Sequence, residues 1–147
     1  MRKISFSTHV HAPFETIWEL MLDRIEHPPI PGIKEVHIIE RQGDVLVREV
    51  RARWLLIRER VTVDKGKREI RYAMQEHPLF FGSATIRAVP LSRQSPVSPV
   101  HLSMVVDWAP KNEEAERTII ETMAAEIQRE VLSLKEEAEA REREDDL

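Results

Sequence analysis

Two periodicities divide the chain. Between Lys3 and Trp108 apolar and polar residues mostly alternate, with one short stretch at helical spacing; after Trp108-Ala109-Pro110 the spacing is helical. Residues 3–11 place Ile4, Phe6, Thr8 and Val10 on one face and Ser5, Ser7, His9 and His11 on the other, which predicts a half-buried strand. Ala12-Pro13 ends it, and Pro13 suits the first turn of a helix. Phe14, Ile17, Trp18, Met21, Leu22 and Ile25 mark that helix through about Glu26. Three prolines between His27 and Gly32 then force a loop. Strands are predicted over Ile33–Glu40, Val45–Ala52, Leu55–Val63, Arg68–Met74, Phe81–Val89 and Val100–Trp108. Gln42-Gly43-Asp44 and Asp64-Lys65-Gly66-Lys67 are their turns, and Pro90–Pro99 is expected to be a mobile loop.

The last forty residues carry the long helix. Ile120, Met123, Ala124, Ile127, Val131 and Leu134 recur at spacings of three and four and form one stripe. Asn112 can cap its start, and Glu113, Glu114 and Glu116 suit the positive end of the dipole. From Lys135 the stripe is nearly gone and acidic residues oppose the dipole, so residues 136–147 are expected to fray. The order β-α-β₆-α predicts one α+β domain over residues 1–135. Its long helix lies across a curved antiparallel sheet, an arrangement that often leaves a cavity.

Charges constrain the pairing. If Arg53-Trp54 is a hairpin tip, Arg48 faces Glu59, Glu49 faces Arg58, Val50 faces Ile57 and Leu46 faces Val61. Both charged pairs are opposite in sign, whereas a slip of one sets Arg48 against Arg60 and Glu49 against Glu59. Pairing across Lys65-Gly66 then sets Val61 opposite Ile70, Glu59 opposite Tyr72 and Ile57 opposite Met74. Arg48, Glu59 and Tyr72 form one polar row on an apolar inner surface. Either the row is a polar handle in a ligand pocket, or Arg48–Glu59 is a pair that sets register.

Composition removes other classes. The chain has 147 residues, is 41% apolar and carries net charge −4, with 22 basic and 26 acidic residues interspersed. No basic block supports nucleic-acid binding. The absence of cysteine excludes disulfides and thiolate chemistry. The alternating N-terminus is unlike a signal peptide, and no apolar run approaches a membrane span; a cytoplasmic protein without integral membrane association is expected. Four glycines and no Gly-rich motif argue against a phosphate cradle. The six histidines lack an HExxH-like spacing, and His9 and His11 face outward, so neither metal nor cofactor is expected.

The opening strand followed by HAPFETIWELMLD resembles the entry motif of the SRPBCC superfamily, the START-like helix-grip proteins. Val10, Ala12, Pro13, Trp18 and Asp23 carry the match. IPGIKEVHIIERQGD resembles that superfamily's second strand and turn. VREV with IRERVTVD, and LSMVVDW before the helix, are similar to small polyketide cyclase/dehydrase-like and AtaL-like members. The resemblance covers residues 3 to about 135. It implies a helix-grip fold, with seven antiparallel strands wrapped around the C-terminal helix. It also implies an apolar tunnel for lipids, sterols or aromatic polyketides. Two features depart from the pattern: the usual second helix is compressed into the PPIPG loop, and aromatics are only 5%.

The function these observations favour is binding of a hydrophobic or amphipathic small molecule between sheet and helix, as carrier or sensor. Arg48, Val50, Ile57, Glu59, Tyr72 and Met74 from the early strands are expected to contact the ligand. Met104, Trp108, Ile120, Met123 and Ile127 are expected to do so from the last strand and helix. Arg48 would hold a carboxylate or enolate oxygen. The alternative is a cyclase, aromatase or dehydratase of the lyase type, with Glu59 and Tyr72 as acid and base. A third reading is an interaction protein, monomeric or paired as a homodimer through the charged end of the helix.

Overall fold

A computed structural model describes residues 1–145 apart from residues 53, 54, 93, 96 and 97. The elements are β1 (Arg2–Val10), α1 (Phe14–Glu26), β2 (Ile33–Gln42), β3 (Val45–Ala52), β4 (Leu55–Asp64), β5 (Glu69–Glu76), β6 (Phe80–Pro90), β7 (Val100–Pro110) and α2 (Glu113–Asp145). The proposed hairpin tip at Arg53-Trp54, and parts of the Pro90–Pro99 loop, lie outside the described residues.

The seven strands form one antiparallel sheet in the order β1-β7-β6-β5-β4-β3-β2. Strands β2 to β7 meander, and β1 adds beside β7. α1 therefore carries the chain from one edge of the sheet to the other. It begins after Pro13, whose carbonyl accepts from Thr16 N and Ile17 N at 3.1 and 3.3 Å. The prolines after His27 prevent its continuation. α2 lies over β1, β7 and α1. Its start is capped by Asn112, whose Oδ1 accepts from Ala115 N at 2.8 Å.

The β3–β4 register matches the charge argument: Arg48 opposes Glu59, Glu49 opposes Arg58, Val50 opposes Ile57 and Leu46 opposes Val61. The β4–β5 register does not. Val61 opposes Tyr72, Glu59 opposes Met74 and Val63 opposes Ile70, a displacement of two residues. The cause is the turn. It is closed by Arg68 N donating to Lys65 O at 3.0 Å, with Asp64 Oδ1 accepting from Lys67 N at 3.1 Å. Arg68 (φ 57°), and not Gly66, takes the left-handed position of this turn. A shift of two keeps every side chain on its face, so the apolar surface survives the error.

The inward stripe of α2 is Ala115, Ile119, Met123, Ile127, Val131, Leu134 and Ala138. Each of its large residues contributes about 1.5–3 kcal/mol of transfer free energy. Ile120, expected on this stripe, is 57% exposed, and Ile119 takes the inward place. Adjacent isoleucines lie about 100° apart on a helix, and β1 and β7 meet the first of them. The expected fraying is also not observed up to Asp145. Ala138 is fully buried, Glu139 Oε2 accepts from His11 N at 2.9 Å, and Glu142 Oε1 accepts from Thr16 Oγ1 at 2.9 Å. These contacts outweigh the unfavourable dipole of an acidic C-terminus. No helix among the described residues is long and apolar enough to cross a membrane.

Candidate functional site

Alternation along β3 turns Leu46, Arg48 and Val50 toward α2 and Glu49 the other way. Arg48 Nε donates to Glu59 Oε1 at 2.8 Å, with both side chains 7% exposed. Arg48 Nη1 donates to Arg24 O at 3.3 Å and to Ile25 O at 2.7 Å. These are carbonyls of the last turn of α1, so the guanidinium satisfies a helix terminus at its negative end. The same guanidinium lies 4.6 Å from the centre of the Tyr72 ring. Arg48 thus ties β3, β4, β5 and α1 together.

Tyr72 is buried among these groups. Burial pushes its hydroxyl well above the ordinary tyrosine range, with Arg48 opposing and Glu130 and Glu59 adding to the rise. Glu130 comes from α2. It keeps some free surface, part of it on the wall of a cavity shared with Tyr72. Its carboxyl is enclosed densely enough that burial, first of all, raises its pKa; Arg48 and Arg24 oppose this, and Glu59 and Glu126 reinforce it. No described residue hydrogen-bonds to the Glu130 carboxyl or to Tyr72 Oη.

The cavity has a volume of about 20 Å³, measured as space open to the centre of a water molecule. That is room for about one water. Tyr72, Ile86 and Met104 form its floor on the sheet, and Glu130 and Leu134 its roof on α2. Met21 and Arg24 of α1, with Pro29, close its side. Arg24 then reaches out to α2, its Nη2 donating to Glu137 Oε2 at 2.6 Å and to Ser133 Oγ at 3.4 Å. Among the described residues this cavity between sheet and α2 is too small to be the open tunnel implied by the resemblance. The methionines and Leu134 fill the seam.

Of the residues expected to meet a ligand, Tyr72 and Met104 line this cavity. Arg48 and Glu59 support Tyr72 and engage each other. Met123, Ile127 and Trp108 are buried in the core, and Met74 is half-buried against it. Val50 is buried and Ile57 half-buried, but neither belongs to that apolar cluster. Ile120 points away. Arg2 stacks 5.0 Å from the Trp108 ring and pairs with Glu116 at 3.0 Å, which places Trp108 beneath the start of α2. Glu130, Met21, Arg24 and Leu134 were not among the expected contacts. Glu130 falls three residues after Ile127 and four before Leu134, so the helical spacing itself puts a carboxylate on the apolar stripe. That was the available signal.

The outer face of the same hairpin carries a second charged cluster. Glu49 accepts from Arg51 Nη2 through Oε1 and from Arg58 Nη2 through Oε2, both at 3.0 Å. Arg58 first, then Arg51, holds the Glu49 carboxyl below its usual range against a burial effect that opposes them.

A family model described as polyketide cyclase/dehydrase and lipid transport matches residues 1–139. The Zhui aromatase/cyclase from a Streptomyces species shares the fold with TM-score 0.75 at 21% identity, covering 95% of this chain and 94% of that one. An 18 kDa protein from Caulobacter crescentus gives 0.72 at 15% identity, covering 97% and 99%. The di-domain ARO/CYC BexL gives 0.72 at 18% identity, covering 92% of this chain and 46% of its own. At these identities the likeness is one of fold. No curated protein sequence matches the chain.

Proposed function

Because the chain belongs to the polyketide cyclase/dehydrase and lipid transport family, we propose that it binds a hydrophobic or amphipathic small molecule between the inner sheet face and α2, as a cytoplasmic carrier or sensor. The observation that carries this reading is Glu130. A half-buried glutamate on the apolar stripe of α2, with no hydrogen-bond partner among the described residues, shares a cavity with Tyr72 and Arg24 between mostly apolar walls. Small-molecule sites have that composition: apolar walls and a few convergent polar groups.

A one-water cavity must widen to admit such a ligand. The seam offers the means, because Met21 and Met104 adapt their shape readily. Arg24 reaches across from α1 to α2 beside the cavity, so releasing Glu137 would free that edge. Ligand burial would then contribute about 25 cal/mol per Å² of apolar surface before association costs.

A second reading is a cyclase, aromatase or dehydratase. The observation favouring it is that Glu130 and Tyr72, two groups able to give and take protons, line one cavity, with burial raising the pKa of each. They replace the earlier candidate Glu59, whose Oε1 is already engaged by Arg48. Native mass spectrometry of protein purified from its own host tests the binding reading. A bound lipid or aromatic compound of defined mass is expected, lost in Tyr72→Phe or Glu130→Gln protein. Protein that always emerges without a companion, and that gains no thermal stability from any hydrophobic probe, would sink it. A changed mass of the released compound after incubation would favour turnover.

A further inference from the structure

The outer face of the sheet, turned away from α2, carries a larger cleft. Glu40 and Gln42 of β2, Val45 and Val47 of β3, Arg60 of β4 and Gln75 of β5 line it. Its volume, as space open to the centre of a water molecule, is about 330 Å³, against about 20 Å³ between sheet and α2. That is room for a small organic molecule. Two irregularities frame it. β2 skips Ile39 between the pairs Ile38–Arg48 and Glu40–Val47, and β5 skips Gln75 between Glu59–Met74 and Arg58–Glu76. Each extra residue is a bulge, which bends its strand and re-aims the neighbouring side chains.

The walls of the cleft carry opposite charges. Glu40, Val47 and Arg60 stand in one row across β2, β3 and β4. The two charged residues are thus two interstrand spacings apart, about 9.5 Å at the backbone. Both are exposed, and among the described residues neither makes an ion pair or a side-chain hydrogen bond. The same holds for Arg71, which lies diagonal to Arg60 across β4 and β5. The cluster one step along β3 differs, because there Arg51 and Arg58 close on Glu49. Like charges on neighbouring strands repel, so Arg60 and Arg71 leave one wall positive with no carboxylate to offset it. Glu40 leaves the other wall negative. Val45 and Val47 form a half-buried apolar floor between them, and Gln42 and Gln75 add amides that donate and accept.

We infer that this outer cleft binds a small zwitterion, with its carboxylate on Arg60, its ammonium on Glu40 and its aliphatic body over Val47. A guanidinium takes a carboxylate through two parallel N–H donors. A charge-assisted contact of about 2.8 Å at each end leaves about 4 Å of the row between the ligand's two charges, the span of a short ω-amino acid. A simple anion satisfies Arg60 but faces Glu40, and a simple cation satisfies Glu40 but faces Arg60 and Arg71. The inference is independent of the binding reading above, since the two sites lie on opposite faces of the sheet.

Three probes with one aliphatic body test it on the full chain at neutral pH and low salt: 4-aminobutyrate, butyrate and butylamine. Each is titrated into isotope-labelled protein and followed through the backbone amide shifts. 4-Aminobutyrate is expected to give saturable shifts gathered at Val45, Val47, Arg60 and Gln75, with butyrate and butylamine at least about tenfold weaker. Arg60→Met and Glu40→Gln should each weaken 4-aminobutyrate about tenfold, the scale of one hydrogen-bonded charge. Both replaced side chains are exposed, so the spectra away from the cleft should not change. Butyrate binding as tightly as 4-aminobutyrate would overturn the assignment in favour of a plain anion seat on Arg60 and Arg71. Butylamine binding as tightly would overturn it in favour of a cation seat on Glu40. Saturable shifts centred on Ile86 and Met104 instead, or no saturable shift with any probe, would remove the outer site.

Discussion

The β3–β4 hairpin carries two charged clusters on opposite faces, built from adjacent residues. On the inner face Arg48 and Glu59 meet at 2.8 Å, each 7% exposed. On the outer face Glu49 meets Arg51 and Arg58 at 3.0 Å; Glu49 is 8% exposed, but its partners are 58% and 43% exposed. The geometry is alike and the setting is not. The outer carboxylate is covered by the stems of its own arginines, which remain hydrated. The inner pair is enclosed by α1, α2 and the sheet, so its charges depend on each other and on the helix carbonyls. An ion pair's distance says little about its importance; what surrounds it decides what its loss would do.

The largest expected effect comes from breaking the inner pair on one side. Arg48→Met leaves Glu59 buried without a cation and uncaps α1, and should cost about 3–5 kcal/mol in urea unfolding. Adding Glu59→Met to that variant should recover much of the loss, to within about 2 kcal/mol of the parent, because the uncompensated charge is gone. A double variant as unstable as the sum of the singles would show that Arg48 acts only through α1.

A smaller effect, of opposite sign, is expected at Glu130. Its raised pKa means the folded protein holds the proton where the unfolded chain has released it, so stability falls as pH rises from its ordinary value through the folded one. Glu130→Gln removes that loss. Its Tm should exceed the parent's at neutral and alkaline pH, and the two should converge below the ordinary glutamate range. Taking the difference between variants cancels His77, whose pKa burial first, and Lys111 second, pushes down to about 4, and which destabilises both proteins as pH falls below 6.5. A constant difference at all pH values would mean that Glu130 carries its charge in the folded state.

The smallest effect belongs to the outer face. Arg58→Met should lower Tm by less than about 3 °C, and added salt should shrink the difference. Glu49 follows the opposite pH rule from Glu130. Its pKa is lowered, so its contribution is present above the ordinary glutamate range and lost on acidification. A loss at Arg58 equal to that at Arg48 would erase the distinction between the faces.

Much of the architecture was legible along the chain. Alternation located all seven strands and helical spacing both helices, because each element must turn one face to a core. The Arg48–Glu59 register was readable because opposite charges penalise every slip of one residue. The β4–β5 register was not, because a slip of two leaves the faces unchanged and only the turn at Arg68 distinguishes the alternatives. Ile119 and Ile120 were indistinguishable by spacing. Glu130 could be placed on the stripe by counting, but charge on a long helix ordinarily means solvent.

Periodicity and charge order along the chain therefore determined the elements, their sequence, the sheet's inner face and the opposed charges of its central hairpin. These follow from local geometry and nearest-neighbour electrostatics. Only the tertiary structure decided that the seam is nearly full, that Arg48 joins Glu59 to the end of α1, and that Glu130 from α2 shares a cavity with Tyr72. Those outcomes depend on how side chains from four distant segments share one small volume, and that sharing leaves no period in the sequence.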